Sequence, residues 1–203
     1  PFVYKSVQIK GKAGLRYDLK VEVEGLNITA STSIPQPPEI TRLIMVPMDD
    51  STGFLKGELK PDGTKDEFLF INFKSKMSRD EIFRPCRIPV WWAKKTSELS
   101  VFNIYRNTKT YMNLINPKSD PYYGWPEFRF SLQDSVSVKV GNIDQESYDI
   151  LFSVLTDQAV QENPFSFNST GIKSNISGGI GRWTGIGVAP MLFYDGKNLK
   201  SED

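Results

Sequence analysis

Polar and apolar residues alternate at a period of two along most of this chain, the spacing of strands with one buried face. In LRYDLKVEVEG, Leu15, Tyr17, Leu19, Val21 and Val23 fall on one side, and Arg16, Asp18, Lys20, Glu22 and Glu24 on the other. Gly25 opens a turn and NITASTSI returns, so residues 15–34 read as a hairpin. Pro35, Pro37 and Pro38 lack the N–H that a ladder needs, which makes IPQPPEI the best linker candidate. ITRLIMVPM is a new strand, followed by the turns DDSTG and PDGTKDE and the apolar strand FLFINF. MSRDEIF fits one short helical turn. IPVWW and ELSVFNIYR read as strands, RNTKTYMNLI as a strand or short helix, and NPKSDPYYGWPEF as an irregular loop. FRFSLQDSVSVKVGNI restarts the alternation, with Val136, Val138 and Val140 on one face.

One segment changes period. Tyr148, Leu151, Phe152, Leu155 and Ala159 recur at helical spacing, and Ile150 and Val154 widen the stripe. Asp144 suits the N-cap, Glu146 suits the first turn, and Pro164 keeps the helix from continuing, which places it at about 145–161. NISGGIGRWTGIGVAPMLFY reads as a Gly-kinked strand closing the sheet, with positive φ or a bulge at Gly178-Gly179. The polar tail DGKNLKSED reads as frayed. The expected fold is mostly β: an antiparallel β-sandwich or partly open barrel, with one main helix packed on it. The expected division is an N-terminal hairpin unit, residues 1–37, and a main β-rich domain, residues 38–203.

Composition narrows the chemistry. The chain has no His, which removes His-dependent triads, bases and metal ligands. Its 25 basic and 24 acidic residues nearly cancel, unlike a surface built to neutralise nucleic-acid phosphates. Cys86 has no internal disulfide partner and reads as a half-buried small hydrophobe in a strand, although Arg84 and Arg87 flank it and could lower its pKa. The turn acids Asp49, Asp50, Asp62, Asp66 and Glu67 lack EF-hand spacing, and no metal or cofactor is expected. Glu58, Asp80, Glu81, Glu98 and Glu127 could in principle supply a carboxylate pair for glycoside hydrolysis. Their scatter fits solvated surface better, so a non-enzyme is expected. GGIGRWTG lacks the Gly-Lys-Ser/Thr ending of a phosphate loop, so its glycines serve backbone geometry.

Aromatic residues crowd Trp91-Trp92, Tyr122-Tyr123-Gly124-Trp125 and Trp183. Flat aromatic faces can stack on sugar rings or anchor a protein partner, and they can equally fill the ends of a sandwich. Trp91, Trp92, Tyr122, Tyr123 and Trp125 are the candidate ligand-binding residues. Asp120, Glu127 and Arg129 are nearby polar groups. Trp91 and Trp92 must face opposite sides of a strand.

Three stretches, GLRYDLKVEVEGLNITASTSIPQPPEI, FRFSLQDSVSVKVGNIDQESYDILFSV and NPFSFNSTGIKSNISGGIG, occur in an order that resembles the domain-of-unknown-function 4249 family of Bacteroidota cell-envelope proteins. Arg182 and Trp183 depart from the aliphatic residue and Phe of that pattern, and the middle of the chain carries no motif of it. The resemblance implies an outer-membrane lipoprotein whose lipid anchor and Ig-like module precede this chain, with residues 1–34 as the module's closing strands. It implies an extracytoplasmic, cell-surface location beside a TonB-dependent receptor. No reaction follows from it. The expected function is a binding or accessory module for a glycan, a peptide or that receptor. The rival is a purely structural or protein-interaction domain.

Overall fold

A computed structural model describes residues 10–94, 99–107, 128–161, 174–196 and 199–201. It is a mostly β protein: an antiparallel β-sandwich carrying one helix. Strands β1 (Arg16–Val23) and β2 (Leu26–Ser33) form the N-terminal hairpin in the expected register, with Val21 opposite Ile28 and Val23 opposite Leu26. One layer of the sandwich contains β3 (Glu39–Pro47), β4 (Thr52–Lys60) and β7 (Ser100–Ile104) in that order, with β8 (Phe130–Ser131) pairing the start of β4. The other runs β12 (Leu199–Ser201), β11 (Leu192–Tyr194), β9 (Val136–Ile143), β5 (Glu67–Ser75), β6 (Arg84–Ala93), with β10 (Gly187–Val188) beside β9.

Period-two burial explains how the layers meet. Leu69, Ile71 and Phe73 of β5 and Val136, Val138 and Val140 of β9 point inward and are fully buried. They meet Leu43, Leu55, Leu59, Phe102 and Ile104 of the facing layer in one apolar cluster. Phe73 and Phe130 close it edge to face, with centroids 5.2 Å apart. Cys86 belongs to this cluster, its Sγ–H donating to the Ile88 carbonyl, and burial pushes its thiol up to about 12. The small hydrophobe expected from the sequence is thus fully rather than half buried.

Helix α1 (Gln145–Gln161) lies against β5 and β6. Asp144 caps it: Oδ1 accepts the Ser147 N–H at 2.6 Å. Leu155, Tyr148, Leu151 and Phe152 pack with Val90 and Phe70 on the outer face of the larger sheet. Ile150 and Ser147 are the deeper pair near the N-terminus, so the buried face is turned toward them relative to the expected stripe.

Three local expectations differ. MSRDEIF is a non-helical turn, in which Asp80 N–H bonds back to the Ser75 carbonyl. The Gly-rich stretch is not one kinked strand. It makes a single bridge to β2 at Thr29–Ser177, loops, and reaches β9 only at Gly187. The tail supplies β12, which pairs with β11. Tyr122, Tyr123 and Trp125, with Asp120, Glu98, Glu127 and Pro164, lie outside the described residues.

Candidate functional site

A cleft of about 540 Å³ opens where the hairpin exit, the start of β5, the end of β9 and the helix N-terminus converge. Each contribution follows from the chain's punctuation. Pro35, Pro37 and Pro38 end the hairpin and leave Gln36 on one wall, and Gly63 with φ 75° turns the chain so that Lys65 and Asp66 form another. Strand alternation turns Phe68 outward beside buried Glu67 and Leu69. Asn142, Asp144 and Gln145 arrive together because β9 runs straight into the helix cap.

The lining mixes apolar Ile34, Pro35, Phe68 and Ile143 with polar Gln36, Asn142 and Gln145 and charged Lys65, Asp66 and Asp144. Asn142 Oδ1 accepts the Phe68 N–H at 3.2 Å, and its Nδ2 donates to Glu67 Oε1 at 3.4 Å. Asp144 is held by Arg182 at 2.9 Å. Among the described residues, neither Gln36 nor Gln145 uses its side-chain amide in a hydrogen bond, so both present donors and acceptors to the cleft.

Trp92 adjoins this cleft. Its indole Nε1–H donates to Asp66 Oδ2 at 3.1 Å, and its ring lies nearly parallel to Phe68, at 9° and 6.4 Å between centroids. Phe68 in turn meets Tyr148, and Tyr148 stacks with Phe152. Trp92 is nevertheless 47% exposed, with Lys94 Nζ 5.6 Å from the ring centroid. Trp91 points the opposite way and packs against the sandwich core. The alternation argument therefore separates the two tryptophans as expected, one inward and one outward.

Glu67 was read from sequence as a turn acid, yet it is 4% exposed, at the inner end of β5. Its Oε2 has no hydrogen-bond partner, and burial, with Asp62 and Glu39 adding repulsion, pushes its carboxyl above the usual range. Lys65 partly opposes that shift. Asp49 and Asp62 are locally satisfied. Asp49 accepts from the Thr52 hydroxyl and from the Ser51 and Thr52 N–H groups, which hold its carboxyl far below the usual range, and it pairs with Arg129 at 2.7 Å. Asp62 is held down by the Thr64 hydroxyl and N–H. No group of three metal-ligating side chains occurs among the described residues.

The SNISGGIGRWTG run acts as a clasp behind the cleft. Ser174 Oγ accepts the Gly181 N–H at 3.1 Å, and Asn175 both accepts from and donates to the Trp183 backbone while reaching the Ser31 carbonyl. Gly178 has φ 81° and lies so close to the Asn27 carbonyl that a Cβ would collide with it. Gly185 N–H donates to Thr32 Oγ1 at 2.8 Å. Arg182 then crosses to the helix, meeting Ser147 Oγ at 2.6 Å as well as Asp144 and Glu146. The glycines are legible in the sequence, but these polar partners are not: Ser174–Gly181 and Asn175–Trp183 are 7 and 8 residues apart, and those on the hairpin and helix lie 35 to 153 residues away along the chain. Comparison of the chain with protein-family models, with curated proteins and with solved structures finds no match.

Proposed function

We propose that this chain is a non-catalytic, extracytoplasmic binding module that captures a glycan in the cleft beside Trp92. The observation that carries the reading is a half-exposed indole next to a concavity edged by unengaged amides. Sugar recognition asks for this pairing: a flat apolar face for the ring's C–H surface and fixed donors and acceptors for its hydroxyls. The cleft volume also falls in the range of small-molecule sites. Asp66 and Asp144 line the same cleft, but Asp66 accepts from Trp92 and Asp144 caps the helix and pairs with Arg182. Neither is set out as a free acid–base pair, which favours capture over hydrolysis. Tyr122, Tyr123 and Trp125, outside the described residues, remain part of the proposal as candidate aromatic contacts. An outer-membrane lipoprotein setting beside a TonB-dependent receptor, proposed from the resemblance alone, would give such capture a purpose.

A second reading, in which the protein partner itself is the ligand, is favoured by one feature. Val23 and Leu26 pair across the hairpin tip at 61% and 44% exposure, and Ile180 in the neighbouring Gly-rich turn is 87% exposed. Such a patch suits a protein contact. A glycan array probed with the chain and with Trp92→Ala, Tyr123→Ala and Trp125→Ala variants separates the two. Saturable capture that Trp92→Ala abolishes while the fold is retained is the expected result. A folded chain that captures no glycan would give the ground to the protein-partner reading.

A further inference from the structure

A second concavity, of about 450 Å³, lies at the other end of the larger sheet's outer face, formed by the end of β5, the turn after it, the start of β9 and Phe193 of β11. Phe68 at the first cleft and Lys74 here are six residues apart on one strand, which separates the sites by about 20 Å. The helix covers the outer face around Phe70 and Val90. Beyond it lie Lys74 of β5, Lys76 just past the end of that strand, Ser135 just before β9 and Ser137 within β9.

The turn that closes this concavity is pinned from inside. Asp134 accepts from Ser75 Oγ at 2.6 Å and from the Met77 N–H at 3.0 Å. Asp80 accepts the Ser75 N–H at 3.0 Å and pairs with Arg84. The two buried acids are thus consumed in holding the backbone. Lys74 donates to the Glu81 carbonyl oxygen, while Lys76 and Arg79 make no ion pair with a described residue. The lining sets Lys74, Lys76 and Arg79 against Asp80 and Glu81, and Arg84 offsets Asp80, so positive charge prevails.

Arg79 is the informative residue. Its φ of 53° makes it the one non-glycine residue in the left-handed region among those described. Gly or Asn would occupy that position with less strain. A long cation kept there, unpaired and over a basic hollow, is backbone strain with a chemical reason beside it. We infer that Lys74, Lys76, Arg79, Ser135 and Ser137 form a binding site for a phosphoryl group. Several cations and two hydroxyls match a multiply charged, many-oxygen anion better than a single carboxylate. The site is independent of the glycan cleft.

The test is titration of the chain with inorganic phosphate at constant ionic strength, followed by calorimetry and backbone NMR, with chloride as the control. Saturable binding that shifts the 74–79 and 135–137 amides is expected. Arg79→Gly should weaken it about tenfold without lowering Tm, since the substitution relieves the turn while removing a charge-assisted bond. Glu81→Gln should tighten it. Sedimentation with phosphatidylcholine vesicles with and without phosphatidate then distinguishes sources. Phosphate-competed binding to the anionic vesicles assigns a lipid headgroup, and free-phosphate binding alone assigns a soluble ester. Binding unaffected by Arg79→Gly, weakened by Glu81→Gln, or equalled by chloride would overturn the inference.

Discussion

Glu67 shows how far a single side chain departs from its sequence label. The acid follows a turn rich in acids, and its neighbours Asp62 and Asp66 are exposed or half-buried, so its own burial is visible only once β5 is placed. Because its folded pKa is raised, the native state holds a proton that the unfolded chain releases. Stability must therefore fall as pH rises from the ordinary glutamate pKa through the folded one. Glu67→Gln removes the charge, and its carbonyl can still accept from Asn142. We expect the variant to melt higher than the parent at about pH 7, with the gap closing near pH 4. Equal Tm differences at both pH values would mean that the buried carboxyl carries no such cost. Arg79 and Trp92 teach the complementary lesson. Residue type marked Trp92 as a candidate but not Arg79, and exposure and backbone conformation set both apart.

At the level of elements, the helix was legible because three independent signals agreed: a 3.6-residue stripe, an Asp cap and an acid in the first turn. Its anchoring was not. Arg182 reads as a departure from a family pattern, yet it fastens the Gly-rich clasp to the helix start through Asp144, Ser147 and Glu146. Removing it leaves Ser147 Oγ and the Asp144 carboxylate short of a charged donor in a half-buried setting. Arg182→Ala is expected to lower unfolding free energy by about 2 kcal/mol in urea titration. Arg182→Lys should recover only part, because an ammonium lacks the fork that spans several acceptors. Full recovery by Lys would show that charge alone matters there. The same element corrects the expectation of a continuous closing strand. In the Gly-rich clasp the backbone N–H groups of Gly181, Trp183 and Gly185 donate to the side chains of Ser174, Asn175 and Thr32, and so are not free for a ladder.

For the whole molecule, hydropathy patterning was enough for a sandwich or partly open barrel with one helix, and alternation gave the inward face of β9, whereas β5 is a continuous apolar run whose inward face is set by its pairing with β9. The candidate cleft was not readable that way. Its lining runs from Gly14 to Gln145, and only the pairing of β5 with β9 and the clasp beside the hairpin bring those residues together. Among the described residues no helix is long and apolar enough to cross a membrane. The Trp92 cleft is proposed to take a sugar. NMR mapping of the intact chain with a glycan recovered from the array tests it most directly. The account predicts saturable shifts of the Trp92 indole N–H and of the Gln36, Asn142 and Gln145 side-chain amides. Shifts confined to the hairpin tip, or none at saturating glycan, would contradict it.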